Sequence, residues 1–386
     1  MTERLKGRPD VGRNSAELRP MMISVIIVNW NGRHFLETCL SSLRRQTFRD
    51  FETILVDNGS SDDSCDYVRA HFPEVEVIAL PDNRGFTGGN IAGWEEARGE
   101  LIALLNNDTE AHPQWLEEIY KASLAFPRAG SFASKMLQFD ERNRIDNCGF
   151  DLTTTGTAVD VGRGELDDAR WSKACEVFGA CGGAAVYRRN MLEDVGFFDS
   201  DFFAIYEDVD LAFRSQLRGY GCVFVPGAIV YHRYHGTLNV YPARRVLLSQ
   251  RNAELFYAKN MPTAALARSL PGRVIYELGA FLYFSALGQA RPFLSAKAQF
   301  FCSLRATLAK RRNIQRTATT TGRQIRALLR PDDFHERKKN LRRIVRAFSS
   351  RWAAEDECEQ NMQGVEQKAS KNGGQAVAED VFAGRS

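Results

Sequence analysis

The chain has 386 residues, 44% of them hydrophobic, which excludes disorder throughout and favours one large domain with appendages over two equal ones. Its 51 Lys and Arg against 48 Asp and Glu give a formal charge of only +3. That small figure averages a mixed front against a back in which Lys and Arg dominate from Arg305 to Arg351.

Residues 1–20 are polar and without apolar period, so they read as a flexible tail ahead of a catalytic region expected over 21–260. The β-branched run Ile23 to Val28 predicts a strand buried on both faces, ending at Asn29-Trp30-Asn31-Gly32. A helix is expected from Phe35 to Leu43, then a strand from Phe51 to Val56 that ends in Asp57-Asn58-Gly59. A third strand, Val75 to Leu80, leads into the glycine-containing run Asn83 to Asn90. A helix to Ala97 and a strand from Leu101 to Leu105 follow, closing on Asn106-Asn107-Asp108. This alternation predicts an α/β fold with a mostly parallel sheet, whose ligands sit beyond the carboxyl ends of the strands, where each polar cluster lies. From about Phe178 the order changes. A Gly-rich segment, a helix at Arg189 to Val195, an acidic cluster at Glu207 to Asp210 and a strand at Val223 to Val225 read as an acceptor-side half.

Behind it, 261–355 reads as a basic helical extension and 356–386 as a disordered tail. The apolar stretch Val274 to Ala290 contains Glu277 and is short for a bilayer span, so it is expected to lie in a membrane interface. Lys310-Arg311-Arg312, Arg337-Lys338-Lys339 and Arg342-Arg343 would meet anionic headgroups. No base-stacking motif or recognition-helix pattern accompanies this charge, so nucleic acid is not an expected partner. Eight cysteines without a C-x-x-C pair, and no secretory leader pattern, point to a reduced setting on the cytoplasmic face of the membrane.

Several clusters carry chemistry. Asp57 would accept a hydrogen bond from a nucleobase or ribose, or else simply cap the next helix. The Asn83–Asn90 run would let backbone amides approach phosphates, with Arg84 for charge, although its spacing is neither a dinucleotide fingerprint nor a P-loop. Asn107-Asp108 offers oxygen ligands to a hard cation or a polar helix cap. Glu207-Asp208-Val209-Asp210, flanked by aromatic residues, would hold a general base of raised pKa or a solvated helix start. His232 and His235 are candidate metal or diphosphate contacts, or part of a packed polar patch with Tyr231 and Arg233.

Five blocks in order resemble the inverting family 2 glycosyltransferases, in particular their rhamnosyltransferase-like branch. They are S-V-I-I-V-N-W-N-G at Ser24, V-D-N-G-S-S-D at Val56, N-R-G-F-T-G-G-N at Asn83, L-L-N-N-D at Leu104 and G-F-F-D-S-D-F-F-A-I-Y-E-D-V-D-L at Gly196. The resemblance implies a nucleotide-diphospho-sugar transferase fold of the A type, with Mg²⁺ or Mn²⁺ bridging a donor diphosphate. It implies Asp208 as base, Asp108 and His232 at the metal, and Asn29, Asp57, Asn83, Arg84, Gly85 and Asn107 on the donor side. Gly182, Gly183 and Glu207 fall on the acceptor side. Only one aspartate stands at the metal position, and the Q-x-x-R-W pattern of processive synthases is missing, with Gln250-Arg251-Asn252 in that region. Transfer of a single sugar, rhamnose by branch, to a lipid-linked glycan acceptor in cell-surface polysaccharide synthesis is therefore expected. The alternative is a catalytically silent sugar-nucleotide-binding or scaffolding module.

Overall fold

The computed structural model describes residues 22–233 and 242–331. His235, the expected tails and the basic clusters after residue 331 lie outside the described residues.

The N-terminal elements alternate as the hydrophobic pattern requires: β1 (Ile23–Asn29), α1 (Arg33–Arg44), β2 (Phe51–Asp57), α2 (Ser64–His71), β3 (Glu76–Ala79), α3 (Gly85–Glu96) and β4 (Leu101–Leu104). A short β5 (Thr109–Ala111) and α4 (Trp115–Ala125) lead to β6 (Ala129–Gln138), β7 (Ile145–Asn147), β8 (Phe150–Leu152) and β9 (Ala158–Asp160). Then come β10 (Cys175–Val177), β11 (Ala185–Arg188), α5 (Arg189–Val195), α6 (Glu207–Leu217) and β12 (Gly221–His232).

The main sheet runs β10-β12-β6-β11-β4-β1-β2-β3. β3, β2, β1 and β4 are mutually parallel, β11 runs against β4 and β6, β12 is parallel to β6, and β10 opposes β12. Six of these eight strands thus share one direction, the mostly parallel α/β arrangement expected. Strand alternation sorts the core between the two faces. Ile23, Val25 and Ile27 pack with Leu36 and Leu40 of α1 and Trp115 and Leu116 of α4. Ile26 turns to the other face, with Ile91 and Trp94 of α3 and Met191 of α5.

The glycine run does something other than expected. Residues from Gly85 onward form α3 itself, and a Cβ on Gly89 or Gly93 would come within 2.6 Å of Val28 Cγ1 or 2.5 Å of Ile26 Cγ2. The Arg84 amide donates to Asn58 Oδ1 (2.9 Å), the Gly85 amide to Asn83 Oδ1 (2.8 Å) and the Thr87 amide to Phe203 O (3.2 Å). Three amides of the run are thus engaged, and Gly89 and Gly93 let a helix lie close on β1. Gly93→Ala is expected to destabilise the fold by about 1–3 kcal/mol through overpacking, read as a lower urea midpoint at unchanged slope. An unchanged midpoint would mean that α3 can lift off the sheet freely.

The boundary expected at residue 260 has no structural counterpart. α7 (Pro242–Asn260), α8 (Thr263–Ala286), α9 (Ala290–Thr317) and α10 (Gly322–Leu328) belong to the same compact unit as the sheet. Phe256 and Met261 share an apolar cluster with Phe178, Phe202 and Phe213 of the catalytic region, and with Ile325 of α10. The chain returns to the sheet side through Thr319 N to Leu217 O (2.9 Å) and Arg330 N to Leu152 O (2.8 Å). A sequence pattern shows that a helix has an apolar face but not which surface that face covers.

Candidate functional site

The carboxyl ends of β1, β2 and β4 meet through carboxamides. Asn107 donates to Asn29 Oδ1 (2.8 Å), and Asn29 donates to Ser64 Oγ (3.0 Å) and Asp57 Oδ1 (3.3 Å). The other Asp57 oxygen accepts from the Ser60 amide (3.1 Å), and Asp57 is 3% exposed. Asn29 and Asp57 are both occupied in the floor of the strand ends, Asp57 closing the turn that follows its own strand, and neither lines the cleft above. Asn58 is the residue that ties this floor to the next loop, donating to Asn83 Oδ1 (3.2 Å) and Gly85 O (2.9 Å).

Asp108 and His232 are 124 positions apart in the numbering and adjacent in space because β5 pairs antiparallel with the end of β12, Thr109 opposite His232. His232 Nε2 stands 3.3 Å from Asp108 Oδ1, while His232 Nδ1 lies 2.8 Å from Asp146 Oδ2. Burial works against charge on this imidazole, but the two carboxylates override it and raise its pKa to about 9. Asp108 is 7% exposed, and its Oδ1 is buried beside His232 Nε2. A carboxylate oxygen and an imidazole nitrogen side by side fit one edge of a site for Mg²⁺ or Mn²⁺, whose binding would displace the Nε2 proton. Such ions commonly take one or two protein ligands and complete their shell with phosphate oxygens and water. Among the described residues no group of three or more His, Cys, Asp or Glu converges, so the diphosphate would supply the rest. Asp146, the outer carboxylate behind the imidazole, was not picked out by the sequence. Only the β6–β7 pairing brings it there.

The acidic cluster opens α6. Asp208 accepts from the Gly182 amide (2.9 Å) and from the Val209 amide (2.8 Å), and burial raises its pKa. Glu207 is 6% exposed, its Oε2 has no hydrogen-bond partner, and burial followed by the nearby Asp208 pushes its carboxyl well above the usual range. Asp210 is different. Burial would raise it, but Lys259 (2.7 Å) and Arg214 (2.9 Å) prevail and lower it, which makes it a fully buried structural anchor with no access to an acceptor.

The pair Gly182-Gly183 links the two clusters. Gly182 donates to Asp208, and Gly183 O accepts from the Asn106 amide (2.9 Å). A Cβ on Gly183 would sit 3.0 Å from Met136 Cε and 3.3 Å from Asn106 Nδ2, so the segment lies close against the end of β4. Together these elements surround a cleft of about 950 Å³, within the size range of small-ligand sites. Asn83, Gly85, Asn107, Asp108, Gly182, Gly183, Glu207 and Asp208 all line it. Arg84 does not. Its guanidinium pairs with Asp82 at 3.5 Å. The cleft also holds groups the sequence did not single out: Trp30, Asp160, and Arg244 stacked 4.5 Å from the Phe203 ring. Asp160 shows no motif in the sequence, and it reaches the cleft only through the β8–β9 hairpin, where Asn147 donates to it (2.9 Å).

Residues 24–196 match the model of the family described as "Glycosyl transferase family 2". This stretch is similar to a family 2 glycosyltransferase domain. An uncharacterized glycosyltransferase of Bacillus subtilis, YwdF, is 29% identical over 217 residues, which are 55% of this chain and 75% of that one. The N-acetylglucosaminyl-diphospho-decaprenol L-rhamnosyltransferase of Mycobacterium tuberculosis is 25% identical over 263 residues, 61% of this chain and 84% of that protein. Other relatives are longer: the chain spans 24% of the length of protein y4gI of Sinorhizobium fredii. Among solved structures, S. aureus TarS superposes with a TM-score of 0.51 at 16% identity, over 77% of this chain and 55% of that one. That likeness is of fold, and it agrees with the A-type arrangement of the sheet described above.

Proposed function

We propose that this chain transfers one sugar, with inversion, from a nucleotide-diphospho-sugar to a glycan acceptor carried on a membrane lipid, in the synthesis of a cell-surface polysaccharide. The observation that carries the reading is one cleft, in a chain that matches the family 2 model, lined by the buried carboxyls of Glu207 and Asp208 and by Asp108, which His232 backs from outside the lining. Asp208 takes the proton of the attacking acceptor hydroxyl. The oxygen so freed forms the new bond at the anomeric carbon as the nucleoside diphosphate leaves with the electron pair of the old one. Asp108 and His232 would hold Mg²⁺ or Mn²⁺, which as a Lewis acid stabilises charge on the diphosphate. Asn83 and Asn107 face the donor, Gly182, Gly183 and Glu207 the acceptor. The name of the mycobacterial relative supports rhamnose as donor sugar and a polyprenyl-diphosphate carrier.

The membrane part of the reading rests on α8, whose polarity is inside out. Arg273 is 4% exposed and reaches Glu254 and Glu277 at 2.9 Å each, with Lys297 of α9 joining both carboxylates. The outer face instead carries Leu270, Val274, Ile275, Leu278 and Leu282, between 48% and 69% exposed. The stretch expected over Val274 to Ala290 lies in a helix that begins earlier, at Thr263, and ends at Ala286, where Gly288 (φ +69°) turns the chain into α9. Among the described residues no helix is long and apolar enough to cross a membrane. Leu278→Glu with Leu282→Glu is expected to cut co-sedimentation with phosphatidylcholine–phosphatidylglycerol vesicles at least about tenfold, since each buried leucine contributes roughly 1.5–3 kcal/mol. Undiminished co-sedimentation would remove α8 from the contact.

The transferase reading is tested by incubating the full chain with dTDP-rhamnose, UDP-N-acetylglucosamine and GDP-mannose, with and without Mg²⁺ or Mn²⁺, and measuring hydrolysis and transfer. Metal-dependent turnover of one donor is expected. A folded protein that binds none of them would overturn the reading in favour of a scaffolding module.

A further inference from the structure

Immediately before Glu207 and Asp208 the backbone enters a conformation that side chains resist. Ile205 has φ +72° and Tyr206 φ +75°. A β-branched residue in the left-handed region is a true outlier, and such positions persist only where surrounding structure holds them. Here the holding group is Asn252, a fully buried residue of α7. Its amide nitrogen donates to Ala204 O (2.8 Å) and Ile205 O (2.7 Å), and its carbonyl oxygen accepts from Arg251 Nε (3.0 Å). The Arg251 contact fixes which way the amide points, because the oxygen must face the guanidinium and both hydrogens then face the turn. Two turns further along α7, Asn260 donates to Asp210 Oδ1 (2.7 Å). α7 thus grips the start of α6 on both sides of the Glu207-Asp208 pair.

We propose that Asn252 is a positioning residue that holds the Ala204–Tyr206 turn so that Glu207 and Asp208 point into the cleft, an assignment that rests on the transferase reading. Asn252 itself does not line the cleft, whereas Ile205, Tyr206, Glu207 and Asp208 all do. Without it two carbonyls lose their donors, and the Ile205 backbone relaxes toward its ordinary regions, rotating the first turn of α6. The donor-side Asn83 and Asn107 follow β3 and β4, and the tie from that side is the Thr87 amide on Phe203 O (3.2 Å), one residue ahead of this turn.

The test uses whichever of dTDP-rhamnose, UDP-N-acetylglucosamine and GDP-mannose the parent turns over. Asn252→Ala, shown folded by circular dichroism at the assay temperature, is expected to lose about 100-fold in kcat, as for a misplacement of about an ångström, with donor KM within about threefold. Adding Ile205→Gly is expected to restore at least about fivefold of that loss, because glycine adopts positive φ without a Cβ penalty. A merely structural role lowers the melting temperature but gives neither the kcat-specific loss nor the rescue. Should Asn252→Ala fail to fold, Asn252→Asp serves, since its carboxylate keeps the size but cannot donate to the two carbonyls. Parent-like kcat in a folded Asn252 variant, or no gain from Ile205→Gly, overturns this assignment alone. A parent inactive on every donor overturns the transferase reading and this assignment with it.

Discussion

Asp208→Asn is expected to lower kcat by about 10³-fold while donor binding stays within about threefold, the middle of the range for loss of a general base. The choice of Asp208 over Glu207 follows from their partners. Asp208 accepts from two amides, those of Gly182 and Val209, which favour its anion against the effect of burial, whereas Glu207 Oε2 is buried with none. Two carboxyls crowded into one cleft do not both ionise readily, so the proton goes to Glu207, whose carboxyl lies well above the usual range. A protonated Glu207 is a poor base but a hydrogen-bond donor to an acceptor sugar. Glu207→Gln keeps that neutral, donating form and is accordingly expected to cost only about tenfold or less, seen mainly in acceptor KM. The reverse ranking, with Glu207→Gln abolishing turnover and Asp208→Asn tolerated, would exchange the two roles. Rates are compared at saturating donor, with nucleotide binding measured separately by calorimetry.

The sequence carried the sheet well because its cue is local. Ile23 to Val28 and Leu101 to Leu105 are apolar throughout, as strands buried on both faces must be, and polar residues mark where each ends. The identity of the cleft residues was legible for the same reason, since Asn107, Asp108 and Asp208 stand at ends of elements that converge on one side. What was not legible depended on pairings between distant segments. Asp146 stands behind His232 only because β7 joins β6, and Asp160 faces the cleft only because β8 and β9 form a hairpin. That the Asn83–Asn90 run opens α3 was not legible, because a run that admits phosphate and a run that admits a neighbouring strand look alike until Val28 stands against Gly89. A strand-end aspartate is equally suited to a ligand or to its own turn, and Asp57 closes its turn through the Ser60 amide. The inverted polarity of α8 could not be read because Arg273 and Glu277 are ordinary surface residues until Glu254 and Lys297 face them.

Asp108→Ala and Asp146→Asn are expected to separate holding an ion from orienting its ligand. Removing Asp108 deletes the carboxylate at the end of β4, and Mn²⁺ binding in the presence of UDP, followed by electron paramagnetic resonance, is expected to weaken at least about 100-fold, with turnover falling in parallel. Asp146 would not touch the ion. It fixes the imidazole of His232 through Nδ1 at 2.8 Å and thereby presents Nε2 toward Asp108. Asn at this position retains a hydrogen-bond acceptor but not the charge, and loss of such an outer carboxylate typically weakens metal affinity by about 10–100-fold. Asp146→Asn is therefore expected to be rescued by excess Mn²⁺, with kcat at saturating metal near that of the parent, whereas Asp108→Ala is not. Equal Mn²⁺ affinity in the parent and Asp108→Ala would show that no ion sits between β4 and β12. The diphosphate charge would then have to be met by cationic side chains, and Arg244, which lines the cleft beside Phe203, is a guanidinium available to do so.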